Sequence, residues 1–136
     1  MLGVRVPITT LCPCSKEISD YGAHNQRGYV DIAVRAASAP SGLPRMVWIE
    51  EIVDIAERSG SAPVFPILKR EDEREVTMRA YDNPVFVEDA VRAAAEELKL
   101  DNRIVWLETR VEAVESIHDH NAFAVISWRR PTTNTC

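Results

Sequence analysis

The chain has 136 residues, 46% of them hydrophobic and 27% charged, which excludes a disordered polymer and leaves room for one packed core, so a single domain over 1–136 is expected. Sixteen basic against 21 acidic residues leave a net charge of -5, which argues against general affinity for nucleic acid or an anionic membrane; a polyanionic ligand needs a local basic pocket. No apolar run reaches the ~18–20 residues of a membrane-spanning helix, and Met1-Leu2-Gly3-Val4-Arg5 lacks a signal peptide's long apolar stretch, so a cytoplasmic location is expected.

Val4-Arg5-Val6-Pro7-Ile8-Thr9-Thr10 alternates as a strand does, with Pro7 pointing to an edge position or a bulge. Residues 11–28 are rich in Cys, Pro, Ser, Gly, Asn and His without a sustained period, and read as a loop. Tyr29 to Arg35 alternates again, and residues 37–44 form a turn. From Arg45 to Arg58 the apolar residues Met46, Ile49, Ile52, Val53 and Ala56 fall at helical spacing, with Glu50, Glu51, Asp54 and Glu57 on the wet side. Pro63 to Lys69 is short, apolar and proline-containing, and with the charged stretch Arg70 to Glu75 it reads as irregular. Phe86, Val87, Ala90, Val91, Ala94, Ala95 and Leu98 mark a second helix entered at Asn83-Pro84. Arg103 to Val114 and Ala122 to Arg130 read as two final strands. Two strands, two helices and two strands predict an α+β fold, an antiparallel sheet with both helices on one face. Its other face and its edges stay uncovered, so a homo-oligomer is expected.

Three cysteines, two of them at Cys12 and Cys14, do not make a secreted disulfide framework. All three histidines and two of the cysteines lie in two short segments, Cys12 to His24 and Glu115 to His120, each beside a strand end. Thiolate, imidazole and carboxylate together suit a borderline divalent ion: zinc, iron or manganese. One alternative is a structural zinc held by Cys12, Cys14, His118 and His120. The single residue between the cysteines is tighter than such sites use, and His24 and Glu115 are left unexplained. A plainer alternative has the cysteines as small apolar groups and the histidines as surface residues.

Leu11-Cys12-Pro13-Cys14-Ser15-Lys16-Glu17-Ile18-Ser19-Asp20-Tyr21-Gly22-Ala23-His24-Asn25-Gln26-Arg27 resembles the signature loop of the type IB GTP cyclohydrolases. Leu68-Lys69-Arg70 with Asp72-Glu73, then Ala80-Tyr81-Asp82-Asn83-Pro84, Phe86-Val87-Glu88-Asp89 and Glu115-Ser116-Ile117-His118 are similar to that family's later blocks, in the same order. The resemblance implies a tunnelling-fold unit, β-β-α-α-β-β, that assembles into a barrel with active sites at its interfaces. Family members carry two related modules in one chain, and this sequence resembles the C-terminal, metal-binding one. The missing N-terminal module is then replaced by further copies of this unit or supplied by a partner.

Carried over by position, the resemblance implies Cys12, His24, Glu73 and His118 around a divalent metal, with Glu115 near it. Glu88 matches the guanine-anchoring glutamate, whose carboxylate accepts two parallel hydrogen bonds from the base; the plain reading of Glu88 is an acid favouring a helix N-terminus. Lys16, Arg27, Lys69 and Arg70 form the basic group for a triphosphate. Glu115 and His120 are the acid-base candidates, while Cys14 has no assigned role. The implied reaction converts GTP to 7,8-dihydroneopterin triphosphate and formate, the first step of folate and pterin synthesis. Two rivals remain: a nitrile reductase of the queuosine pathway, which uses a cysteine and NADPH without a catalytic metal, and a non-catalytic zinc-binding subunit or remnant of the same fold.

Overall fold

Alternating apolar residues from Leu2 to Leu11 bury Val6, Ile8 and Thr10 and form β1 (Leu2–Leu11), the first strand of a computed structural model that describes residues 1–131. It is followed by α1 (Pro13–Ile18), β2 (Asn25–Ala36), α2 (Ile49–Ser59), β3 (Ala62–Pro63), α3 (Arg70–Asp82), α4 (Val87–Leu100), β4 (Ile104–Val114) and β5 (Ala122–Arg129). The described residues make an α+β fold with one open antiparallel sheet of order β3-β1-β2-β4-β5. β3 covers β1 only at Ile8 and Thr9, so Pro7, paired with Tyr29 of β2, sits on a largely free edge where a missing N–H costs nothing.

Ile8, Val30, Ile32, Val34, Leu107 and Val111 line one face of the sheet, and Ile52 and Ala56 of α2 pack onto it beside Ala90, Val91, Ala95 and Leu98 of α4. Each large side chain buried there contributes ~1.5–3 kcal/mol. A Cβ on Gly28 would lie 2.9 Å from Thr10 Cγ2 and 3.1 Å from Ile8 Cγ1, so glycine is what lets the β1 side chains lie across β2 at that point. Among the described residues, no helix packs over the stretch of the opposite face that carries Arg5, Tyr29, Arg110, Glu112 and Phe123. There the Arg5 guanidinium stands 4.6 Å from the Tyr29 ring centre and that of Arg110 stands 4.7 Å from Phe123.

The two packed helices expected near 45–58 and 86–98 are present as α2 and α4. The expected β-β-α-α-β-β order is not that of the described residues, which interpose α1, β3 and α3. Residues 11–28 are not all loop. Pro13, whose fixed φ suits a first helical position, starts α1, and β2 begins at Asn25 rather than Tyr29. Residues 64–69 are irregular as expected, but the charged stretch from Arg70 to Glu75 opens α3. Its only buried residue is Ala80, so it has no apolar stripe to betray it; it is held by Glu71, Asp72 and Glu73 at its positive end and by Asp72 Oδ2, which accepts from the Lys69 N–H at 3.0 Å.

At the end of the sheet where β2 finishes, the polar groups are spent on one another. Arg103 donates to Glu51 at 2.8 Å, to Asp101 at 2.7 Å and to the Met46 carbonyl at 2.9 Å. Arg130 donates to the carbonyls of Ile104, Lys99 and Asp101. Hydrogen bonding to Arg103 holds the carboxyls of Glu51 and Asp101 below their usual range and raises the Arg103 guanidinium further.

Candidate active site

The other end of the sheet gathers the close of β1, the start of β2, the β4–β5 loop and the first turn of α4 around a cavity of about 520 Å³. Cys12, Cys14, His24, Glu88, Glu115, His118 and His120 line it, with apolar walls from Ile18, Phe86, Val87 and Ile117. Chain geometry explains the gathering. Cys12 directly follows β1 and caps α1, where its carbonyl accepts from Ser15 Oγ at 3.0 Å. His24 immediately precedes β2, and Glu88 enters through the first turn of α4. The histidines 118 and 120 stack with ring centres 5.4 Å apart. Both cysteines are free thiols.

Three residues that sequence reasoning passed over tie the site together. Gln26, 7% exposed, donates through Nε2 to Glu115 Oε2. Ser116 Oγ lies 2.9 Å from His24 Nδ1, and Asn121 accepts from the Glu115 N–H at 3.3 Å while donating to Glu112 at 3.1 Å. A signal was available. His24 and Gln26 are two apart at a strand start, and extending the β2–β4 register past the Arg27–Val114 pair sets Gln26 opposite Glu115, with Ser116 in the loop that follows. Thr10 also lines the cavity, and its buried Oγ1 has no hydrogen-bond partner among the described residues.

The remaining expected site residues lie elsewhere. Glu73 lines a separate recess on α3 with Arg70 and Arg74. Lys16 donates to the Tyr81 carbonyl at 2.5 Å and stands 4.2 Å from the Tyr81 ring centre, so α1 spends it on the end of α3. Arg27 lines a recess with Val76 and Thr77 of α3, and Lys69 sits at the start of that helix. Among the described residues, no lysine or arginine lines the Cys12–His118 cavity. The basic group and the thiol-imidazole group are therefore separate features of this unit.

For a metal the donor types fit and the spacing is incomplete. One thiol, two imidazoles and a carboxylate, from Cys12, His24, His118 and Glu115, face one cavity, a set suited to zinc, iron or manganese. Among the described residues, however, no three His, Cys, Asp or Glu groups stand close enough together to hold an ion.

The chain is similar to known proteins over most of its length. The family described as type I GTP cyclohydrolase folE2 matches residues 1–124. The chain is 55% identical over 125 residues to a GTP cyclohydrolase FolE2 of Thermotoga neapolitana and 58% identical over 125 residues to one of Caldicellulosiruptor bescii, in each case across 92% of this chain and 46% of the relative. A GTP cyclohydrolase FolE2 of Dictyoglomus thermophilum is 52% identical over 126 residues. The chain thus spans about half the length of the curated relatives it matches.

Proposed function

The chain belongs to the type I GTP cyclohydrolase folE2 family, and from that premise we propose that it is the metal-binding catalytic module of such an enzyme, corresponding to the C-terminal half, and converts GTP to 7,8-dihydroneopterin triphosphate and formate. The observation that carries the reading is the cavity where Cys12, His24, Glu88, Glu115 and His118, drawn from four separate stretches of chain, face one another.

In this reading Cys12, His24 and His118 would hold a divalent ion, and Glu73 would join them only after α3 or a neighbouring unit brings it in. The chemistry such an ion supplies is Lewis acidity, which makes hydroxide available near neutral pH. Glu88 accepts the N1–H and exocyclic amine of guanine, and adenine, with an acceptor in place of the N1–H, is rejected. Phe86, Val87 and Ile117 close apolar surface over the base and limit water to the reacting edge. Glu115, which accepts from Gln26, and His120, stacked on His118, would move protons at N7, N9 and the ribose as the imidazole ring opens and formate leaves.

The basic residues favour an assembly. Arg27, Lys69 and Arg70 lie outside the cavity, so a triphosphate reaches cations only where recesses of two units adjoin. Among the described residues, the open sheet face and the outer edge of β5 are without a partner and supply surfaces for such a unit, either a second copy or a partner module. The test is incubation of the purified chain with GTP and manganese, iron or zinc, followed by oxidation and pterin fluorescence. Turnover should appear with metal and fall on dilution as light scattering reports dissociation. No pterin under any metal, alone or with lysate, overturns the catalytic reading in favour of a zinc-binding subunit.

A further inference from the structure

We propose that Ser116 is a positioning residue that decides which nitrogen of His24 faces the cavity, an inference that rests on reading His24 as a metal ligand. Ser116 Oγ is 2.9 Å from His24 Nδ1, and His24 itself lines the cavity. With Nδ1 engaged by the hydroxyl, Nε2 is the ring nitrogen left for the cavity. A ligating nitrogen must offer a lone pair, so the proton of the neutral ring belongs on Nδ1, where it is donated to Ser116 Oγ. Without that acceptor a neutral histidine drifts to the form with the proton on Nε2, which presents N–H rather than a lone pair to an ion.

The loop that carries Ser116 has its own anchors. Gln26 holds the Glu115 carboxylate, and Asn121 holds the Glu115 N–H while reaching back to Glu112 on β4. Replacing the serine hydroxyl should therefore release the His24 ring without moving the loop, which separates an effect on the ring from an effect on the fold.

The test uses the full chain, metal-free, labelled with ¹⁵N in its histidines, at a pH where the rings are neutral, with His24 assigned by its loss in His24→Ala. In the parent, Nδ1 should resonate as a protonated nitrogen and Nε2 as an unprotonated one. Ser116→Ala should shift both toward the opposite pattern, and Ser116→Thr, which keeps a hydroxyl, should retain the parent pattern. Zinc affinity measured against a chelator should fall ~10–100-fold in Ser116→Ala and recover in Ser116→Thr. Unmoved ring shifts in Ser116→Ala overturn the proposal, and moved shifts with zinc bound as tightly as in the parent overturn the reading of His24 as the ligand that Ser116 positions. If both chains bind zinc equally and the shifts stay put, the metal reading stands and the role of Ser116 fails. If the shifts move but neither chain binds zinc, Ser116 does set the tautomer and it is the metal reading that fails.

Discussion

The two ends of the sheet treat their polar side chains in opposite ways. At the Arg103 end, two arginines, Asp101, Glu51 and four backbone carbonyls satisfy one another. At the Cys12 end, two thiols, three imidazoles and Glu88 line an open cavity, and the bonds that exist tie Glu115 and His24 in place while leaving their faces toward the space. Groups that close on themselves contribute stability and little chemistry. Groups held in position but left without partners are what a ligand can use, because fixed donors and acceptors need no reorganisation when it arrives.

The sharpest way to break this contrast is to remove a cavity group. Cys12→Ala and His118→Ala should each lose bound metal and lower GTP turnover by more than ~100-fold, beyond what loss of an outer partner costs, with little change in thermal unfolding of the metal-free chain. Metal analysis beside a pterin assay checks it, and full metal content with full turnover in either variant would return that residue to the surface. Glu88→Gln should weaken binding of a guanine nucleotide by ~10–100-fold, the loss of a charged acceptor, while zinc content stays normal. Unchanged affinity would leave Glu88 as a helix-end acid. At the other end the expected pattern reverses: Arg103→Met should lower Tm by about 2–6 °C and leave zinc affinity intact, since the guanidinium bridges α2 to the approach of β4 but touches nothing in the cavity.

The contrast was only half legible in the chain. The cavity end announced itself, because cysteine and histidine are rare and their clustering beside two strand ends survives without coordinates. Packing helices and long strands were equally plain, since Ile52, Ala56, Ala90, Val91 and Leu98 keep a helical period and β1, β2, β4 and β5 alternate. α3 was hidden because hydrophobic periodicity reports burial, and a helix that buries only Ala80 has none to show. Lys16 and Glu73 stood next to motif residues in sequence, but α1 turns the lysine onto Tyr81 and α3 carries the glutamate into its own recess. Short-range proximity along the chain says nothing of which side of a helix a residue takes. Gln26 and Ser116 were passed over for a different reason: glutamine and serine are common, and it takes the β2–β4 register and the loop after β4 to bring them to Glu115 and His24.

The smallest effect expected concerns pH and belongs to the Arg103 end alone. Asp101 is held below the usual carboxylate range first by the Arg103 side-chain hydrogen bond, against desolvation, and Glu51 is shifted the same way by the same arginine. A carboxyl whose folded pKa is depressed adds stability that is fully present above its unfolded pKa and disappears as pH falls through the folded one. The unfolded reference lies at ~3.9 for aspartate, so the contribution of Asp101 is complete at neutral pH and lost progressively below that value. Asp101→Asn removes the titrating charge but keeps the size of the side chain. The variant should melt slightly lower than the parent at pH 7, and the gap should close as the pH is lowered, because a protonated Asp101 is then nearly the same group. Glu51 remains in both chains, but Asp101→Asn removes a like charge that raises the Glu51 carboxyl, so the Glu51 slope cancels in part and the Asp101 share is read from the remaining difference. Thermal unfolding at a series of pH values reads this directly, with zinc affinity at pH 7 unchanged between the two chains. A gap that stays constant into the acid range would mean that Asp101 acts through shape rather than charge, and the Arg103 network would then be a packing feature with no electrostatic share.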